Sequence, residues 1–232
     1  PSLMIYYNLS YDSFVIDKQW AAKNPDKCEV MDNGEIFVTT DTHFGIIARM
    51  EQELGKERKR YKKLMKGAAD GSVEAAIYDG SQLAVKVIMN SLYGMLGSSS
   101  SSTVPCVQIA AAITSQGRYN LMGAKDYVEE RYCEFTGRPK EMNAKVVYGD
   151  TDSIFIKMPG IDVATAMKYG KLLEENITRD LYNKPIALVM EYEKTFCPFL
   201  LVTAKLSSVR RFEFDPNKTN LTNNGRKLAK PN

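Results

Sequence analysis

Two acidic residues, Asp150 and Asp152, stand one residue apart between two short apolar runs of the chain. The runs, 144–148 and 154–158, are rich in β-branched and aromatic residues. Runs of this length and composition are typical of strands, and Gly-Asp-Thr-Asp between them is typical of a turn. Residues 149–152 are therefore predicted to form the tip of a β-hairpin, which commits this part of the chain to antiparallel sheet.

The same two carboxylates suggest a metal ion. Neighbouring carboxylates repel each other, and a bound divalent cation is the usual reason that both stay ionised. A site that offers only oxygen ligands favours a hard ion, so Mg²⁺ is the expected cofactor and Mn²⁺ the alternative. An isolated Asp-x-Asp also suits an ordinary tight turn, so the metal interpretation needs support from elsewhere in the chain.

Composition narrows the class of protein. The chain has 232 residues, of which 44% are hydrophobic and 25% charged, as expected for a globular domain with a sizeable core. The four cysteines are widely spaced and His43 is the single histidine, so neither a zinc site nor a disulfide framework is expected. The sequence has no apolar stretch of membrane-spanning length, which favours an intracellular protein. Because the chain starts at Pro1, we expect it to be part of something longer.

Basic residues concentrate in two segments although the net charge is only +3. Segment 56–66 contains seven lysines and arginines against one acid, Glu57, and the second concentration runs from Lys205 to Lys230. Such clusters are usually solvated faces, but two of them on either side of a metal hairpin also suit a polyanionic partner.

Hydrophobic periodicity separates a strand-rich start from a helical hairpin. Residues 1–40 are punctuated by turn signals. A first helix is expected up to Gly67, with Asp41 or Thr42 as its N-cap, and a second over 73–96. Because their connection is short, the two helices should pack as an antiparallel hairpin.

The remainder of the chain mixes helix and strand. A serine-rich connector at 97–102 precedes a predicted helix over 105–135, and Asp162 is the expected N-cap of a further helix. Further strands are predicted at 35–39, 186–193 and 199–203. The predicted fold class is α+β, an antiparallel sheet with packed helices that is interrupted by the helical hairpin.

The second helix of the hairpin carries an unusual polar stripe. Gln82, Lys86, Asn90 and Tyr93 follow one another at intervals of four, four and three, so they share one helix face. An apolar face is predicted beside it, formed by Val85, Ile88, Met89, Leu92 and Leu96.

The facing helix offers Arg58 and Lys62 at the same four-residue spacing. Cations and an amide directed to a common volume would suit a triphosphate. Tyr93 followed by Gly94 could accept a base pair close to the backbone; the alternative is a core tyrosine beside a simple helix irregularity.

These residues resemble two motifs of the B-family DNA polymerases. Lys86-x-x-x-Asn90-Ser91-x-Tyr93-Gly94 is similar to the fingers motif of that family, and 148–153 is similar to its palm carboxylate motif. The resemblance covers nearly the whole chain. Within that family, the residue pattern most resembles polymerases of the delta type and of large DNA viruses.

The resemblance implies an organisation into four parts. Residues 1–40 correspond to the first part of a palm, 41–97 to the fingers helical hairpin, 98–205 to the second part of the palm with the carboxylate hairpin, and 206–232 to the transition from palm to thumb.

The resemblance also implies template-directed transfer of a deoxynucleoside monophosphate to a primer 3′ hydroxyl, with two Mg²⁺ ions. Primer–template DNA and a deoxynucleoside triphosphate are the implied partners, with a processivity factor as a further one, in a host nucleus or viral replication compartment. The implied roles are catalysis and metal binding for Asp150 and Asp152; nucleotide binding for Arg58, Lys62, Lys86, Asn90 and Tyr93; and primer or DNA binding for Gly94, Tyr148, Gly149 and Lys205.

The sequence departs from the family pattern at the primer-contacting motif, where Ala204-Lys205-Leu206-Ser207 retains only Lys205 of a Lys-Lys-x-Tyr pattern. The first palm carboxylate lies before Pro1 in the family, so the fragment alone is expected to be inactive. A catalytically silent, polymerase-like module that binds nucleic acid is the alternative. Another palm-type enzyme, such as a nucleotide cyclase, would not need the basic hairpin.

Overall fold

The computed structural model describes residues 1–98, 104–182, 188–203, 206–212 and 223–228, with side chains described as far as Phe199. The helices are α1 (Ser2–Tyr6), α2 (Lys18–Lys23), α3 (Ile46–Gly67), α4 (Val73–Gly97), α5 (Val107–Thr136) and α6 (Val163–Leu181). The strands are β1 (Cys28–Val30), β2 (Ile36–Val38), β3 (Lys145–Asp150), β4 (Ser153–Lys157), β5 (Thr195–Thr203), β6 (Leu206–Phe212) and β7 (Asn223–Leu228). Short 3-10 turns occur at Pro25–Lys27 and Lys140–Met142.

The strands within these ranges pair antiparallel throughout. β1 pairs with β2 and β3 with β4, and β5, β6 and β7 form a three-stranded sheet in chain order. Helices and antiparallel sheet together confirm the predicted α+β class. No helix in the described part of the chain is long and apolar enough to cross a bilayer.

The chain divides into two compact units, and the boundary lies within α5, between Asn120 and Leu121. In the first unit, α3 packs against α4 and α1 packs against α3. The apolar core of this unit includes Met4, Leu9, Phe37, Ile47, Ala48, Met89, Leu96, Ile109 and Ala112. The second unit buries Val128, Tyr132, Met167, Leu173 and Ile177 along α5 and α6.

The helical hairpin forms where the apolar periodicity predicts it. Ser72 caps α4 by accepting a hydrogen bond from the Ala75 N–H at 3.1 Å, as its position before an apolar run favours. Asp162 caps α6 in the same way, through the Thr165 N–H at 2.8 Å.

Two details of the hairpin differ from the sequence prediction. Ile88, predicted on the apolar face of α4, is 49% exposed, because it lies about 100° around the helix from the buried Met89. The N-cap of α3 is Gly45 rather than Asp41 or Thr42, and Gly45 has no side chain with which to cap a helix.

The prediction of a strand at 186–193 is wrong over its described part, 188–193, which has no strand pairing. The N–H of Met190 donates to Thr178 Oγ1 at 3.1 Å, and the N–H of Tyr192 donates to Glu174 Oε2 at 2.7 Å. These two backbone N–H groups are therefore hydrogen-bonded to side chains of α6 rather than to a neighbouring strand. The expectation of a strand-rich 1–40 is also only partly right, since this region contains α1 and α2 beside β1 and β2.

Candidate active site: a carboxylate hairpin and a basic helical hairpin

Asp150 and Asp152 lie at a two-residue turn, as predicted. Asp150 ends β3 and pairs with Ser153 at the start of β4. Thr151 has a φ of 54°, and the Asp152 N–H donates to the Asp150 carbonyl oxygen at 2.6 Å. This tight turn carries both carboxylates into solvent, where both residues are exposed.

The two carboxylates differ in their hydrogen bonds. Thr151 Oγ1 donates to Asp150 Oδ1 at 3.1 Å, and no described residue donates to or pairs with the Asp152 carboxylate. Exposed carboxylate oxygens of this kind are suitable ligands for Mg²⁺. Within the described ranges, no group of three or more His, Cys, Asp or Glu residues is placed to hold a metal ion.

Helix α5 supports the hairpin from one side. Glu129 Oε1 accepts a hydrogen bond from the Val146 N–H at 3.0 Å, and Lys125 pairs with the other carboxylate oxygen at 3.0 Å. The Lys125 hydrogen bond, followed by that of Val146, lowers the pKa of Glu129, so this carboxylate stays charged near neutral pH. A Cβ built on Gly149 would lie 3.5 Å from Leu121 of the same helix, an ordinary contact distance.

Aromatic packing supports the hairpin from the other side. The Tyr148 ring meets Phe155 edge to face at 5.3 Å between centroids, and Phe155 stacks on Phe196 and Phe199 of β5 at 5.9 and 5.5 Å. A bulge at Val147, where the register shifts between Val146 and Tyr148, accompanies this arrangement. The rings tie the carboxylate turn to β5, the strand that leads toward Lys205. Lys205 itself lies outside the described residues.

The sequence predicts the hairpin but not these rings, because the pairing of Phe155 with Phe196 and Phe199 depends on tertiary packing. The aromatic character of Phe155 and Phe199, each in a predicted strand, is the only signal that the sequence offers.

The basic helical hairpin brings Arg58 to the polar stripe of α4. Arg58 Nε donates to Gln82 Oε1 at 3.4 Å, and Gln82 is the first member of that stripe. One turn earlier on α3, a Cβ built on Gly55 would lie 3.8 Å from the methyl group of Met89. These two contacts fix the antiparallel register of α3 and α4.

That register orders the predicted nucleotide-binding residues along the hairpin. From the α3–α4 turn toward the other end, the order is Lys62, Arg58, Lys86, Asn90 and Tyr93, over about 20 Å at 1.5 Å per residue. Lys62, Lys86 and Asn90 are exposed, Arg58 is half-buried, and Tyr93 is 38% exposed. A Cβ on Gly94 would meet nothing within 4 Å, so the backbone there is open to close approach.

Comparison with known proteins shows the family. The sequence model described as "DNA polymerase family B" matches residues 1–222. The chain belongs to DNA polymerase family B.

Catalytic subunits of DNA polymerase delta are among the relatives. The chain is 37% identical over 207 residues to the subunit from Glycine max and 35% identical over 208 residues to that from Plasmodium falciparum, in each case over 88% of this chain and 18% of the relative. A DNA polymerase catalytic subunit of Gallid herpesvirus 2 is 31% identical over 222 residues, again over 88% of this chain and 18% of the relative. The chain thus spans about a fifth of the length of these curated relatives.

The fold is shared with a solved family B DNA polymerase from the hyperthermophilic archaeon Pyrobaculum calidifontis. The TM-score is 0.59 at 24% identity, over 91% of this chain and 24% of that one. The family assignment confirms the resemblance first seen at residues 86–94 and 148–153.

Proposed function

We propose that this chain forms the nucleotidyl-transfer part of a replicative DNA polymerase that extends a primer on a template. The observation that carries the proposal is the carboxylate turn, with Asp150 and Asp152 exposed at the end of a rigidly packed β-hairpin in a family B chain. The polymerase delta and herpesvirus relatives favour replication in a nucleus or in a viral replication compartment.

Asp150 and Asp152 would hold two Mg²⁺ ions, together with a carboxylate from elsewhere in the full polymerase. When bound, the ions lower the pKa of the primer 3′ hydroxyl and neutralise charge on the leaving pyrophosphate. Asp152 is the stronger candidate for a direct ligand because none of its carboxylate oxygens is engaged by a described residue, whereas Asp150 already accepts from Thr151.

The helical hairpin α3–α4 would act as the fingers. Arg58, Lys62 and Lys86 would neutralise the triphosphate, and Asn90 would donate its amide to a phosphate oxygen. Tyr93 and Gly94 would border the new base pair, where an exposed ring and an open backbone suit a flat partner. Tyr148, Gly149 and Lys205 would contact the primer, and 1–40 and 98–205 would form the palm.

Replacing Asp152 tests this proposal in the full-length polymerase. Asp152→Ala should reduce primer extension by roughly a thousandfold or more, because several kcal/mol of transition-state charge stabilisation depends on the ions. The dissociation constant for primer–template DNA, measured by fluorescence anisotropy, should change less than threefold. Asp162→Ala, which removes an exposed helix cap on α6, is the matched control and should extend primers normally.

The result also separates the proposal from a catalytically silent, DNA-binding module. If the native polymerase binds primer–template but never extends it, the silent module is correct. If Asp152→Ala extends as fast as the native enzyme, Asp152 has no catalytic role.

A further inference from the structure

Helix α3 begins without a cap of its own, yet its first backbone donors are satisfied by a distant loop. The Gly45 N–H donates to Asn8 Oδ1 at 2.8 Å, the Ile46 N–H to both carboxylate oxygens of Asp12 at 3.0 and 3.1 Å, and the Ile47 N–H to Ser10 Oγ at 3.1 Å. Three consecutive donors of the first turn thus meet three side chains that alternate along one loop. We call Asn8, Ser10 and Asp12 the α3 anchor.

The anchor side chains are held by further hydrogen bonds of their own. Asn8 is 1% exposed, has a φ of 55°, and donates from Nδ2 to the carbonyl oxygens of Val38 and His43, each at 2.7 Å. Asp12 Oδ1 accepts from Ser10 Oγ, and Asp12 Oδ2 lies 2.7 Å from His43 Nε2. Such a network holds one geometry because each group has its partners already in place.

Close packing leaves little room at this junction. A Cβ on Gly45 would lie 2.5 Å from Ser10 Cβ and 3.0 Å from both Asn8 Oδ1 and Ser10 Oγ. Only a glycine permits the helix start to approach the loop this closely.

Because the anchor lies at the base of the hairpin, a small tilt of α3 there displaces the far part of the hairpin by a larger distance. α3 has 22 residues, so it extends about 33 Å from the anchor, and Arg58 and Lys62 lie roughly 18 and 24 Å along it. A tilt of only 10° at the base would move Lys62 by about 4 Å. A displacement of about 4 Å exceeds the length of a charge-assisted hydrogen bond, about 2.8 Å, so it would separate the Lys62 ammonium from a phosphate oxygen and weaken nucleotide binding.

We propose that Asn8, Ser10 and Asp12 are positioning residues for nucleotide binding, because they hold the base of the helical hairpin whose far part carries the phosphate-binding cations. The proposal rests on the function proposed above. Loosening the anchor lowers the fraction of molecules whose hairpin is in the binding geometry, and the apparent nucleotide affinity falls by that fraction. At saturating nucleotide the bound triphosphate restores the geometry, so the effect falls on KM rather than on kcat.

The test uses Asp12→Ala in the full-length polymerase, with Asp12→Asn as the conservative variant. Asp12→Ala should raise KM for the deoxynucleoside triphosphate about tenfold, with kcat and the dissociation constant for primer–template changed less than twofold. Asp12→Asn keeps an oxygen acceptor for the Ile46 N–H and should keep KM within about twofold of native. Asp162→Ala removes a carboxylate cap from α6 and is the control for general stability loss.

Hydrogen exchange supplies a readout that does not depend on catalysis. In Asp12→Ala, the backbone amides of Gly45, α3 and α4 should exchange faster, whereas Asp162→Ala should leave their exchange rates unchanged. An Asp12→Ala enzyme with native KM, or with native exchange in α3 and α4, overturns the proposal. If the native polymerase fails to extend primers, the proposed function fails, but the exchange experiment still decides whether the anchor holds the hairpin.

Discussion

At the scale of single residues, Glu51 is unusual because its carboxylate is buried inside the fold. It lies on α3, is fully buried, and neither carboxylate oxygen has a hydrogen-bond partner among the described residues. Burial raises the pKa of Glu51 to about 7. The folded chain therefore binds a proton at Glu51 that the unfolded chain releases at lower pH.

This shift predicts how stability depends on pH. Because the pKa is raised from 4.5 to about 7 on folding, the stabilising contribution is complete below about pH 4.5 and is lost as the pH rises through 7. Glu51→Gln should remove that part of the pH dependence and raise the free energy of unfolding at pH 8 by up to about 3 kcal/mol. Thermal unfolding followed by circular dichroism at several pH values measures it.

Glu53→Gln is the matched control, since Glu53 lies on the same helix but is exposed and paired with Lys56 at 2.6 Å. It should change stability by less than about 1 kcal/mol at any pH. A Glu51→Gln chain that retains the native pH dependence would show that Glu51 is not the titrating group.

At the scale of elements, Tyr192 joins an irregular segment to α6. Its ring lies directly over Gly170, where an added Cβ would come within 2.4 Å of Tyr192 Cδ2 and 2.6 Å of Cε2. Its hydroxyl group hydrogen-bonds with Oγ1 of Thr195, the first residue of β5, at 2.6 Å. The glycine thus permits the contact that holds 188–194 along the helix in place of a strand.

Gly170→Ala should destabilise the fold, although alanine is the better helix former. Displacing the Tyr192 ring should cost about 1–3 kcal/mol, more than the gain in helix propensity of up to about 1 kcal/mol. Gly123→Ala on α5 makes the same chemical change where an added Cβ meets nothing within 4 Å, and it should stabilise. Chemical denaturation of both variants measures the two effects, and equal shifts would contradict the packing argument.

Elements with strong local signals were predictable from the sequence, and those that depend on distant partners were not. α3, α4, α5 and α6 follow from apolar periodicity, and the carboxylate turn follows from its two flanking runs. The α3 anchor was missed because Asp12 lies 34 residues before the N–H that it accepts from. The segment 188–193 has a strand-like composition, but its alternate N–H groups donate to Thr178 and Glu174.

At the scale of the whole molecule, the net charge is only +3, yet one helix, α3, is strongly basic. On α3, Lys56 pairs with Glu53 at 2.6 Å and Arg60 pairs with Glu57 at 2.8 Å. Lys59 and Lys63 are exposed, lie one turn apart, and form no ion pair with a described residue. Lys56 and Arg60 are therefore locally compensated, whereas Lys59 and Lys63 are available to an external polyanion.

The salt dependence of DNA binding distinguishes Lys59 and Lys63 from the ion-paired Lys56 and Arg60. Each phosphate that a protein neutralises contributes about 0.9 to the slope of log K against log salt concentration. In the full-length polymerase, the double variant Lys59→Gln with Lys63→Gln should reduce that slope for primer–template DNA by up to about 2. Lys56→Gln with Arg60→Gln removes the same charge from the same helix, but should change the slope by less than about 0.5 because glutamates already neutralise those side chains. Anisotropy titrations between 50 and 300 mM salt measure both slopes, and equal slopes would show that local ion pairing does not determine which cations of α3 meet DNA.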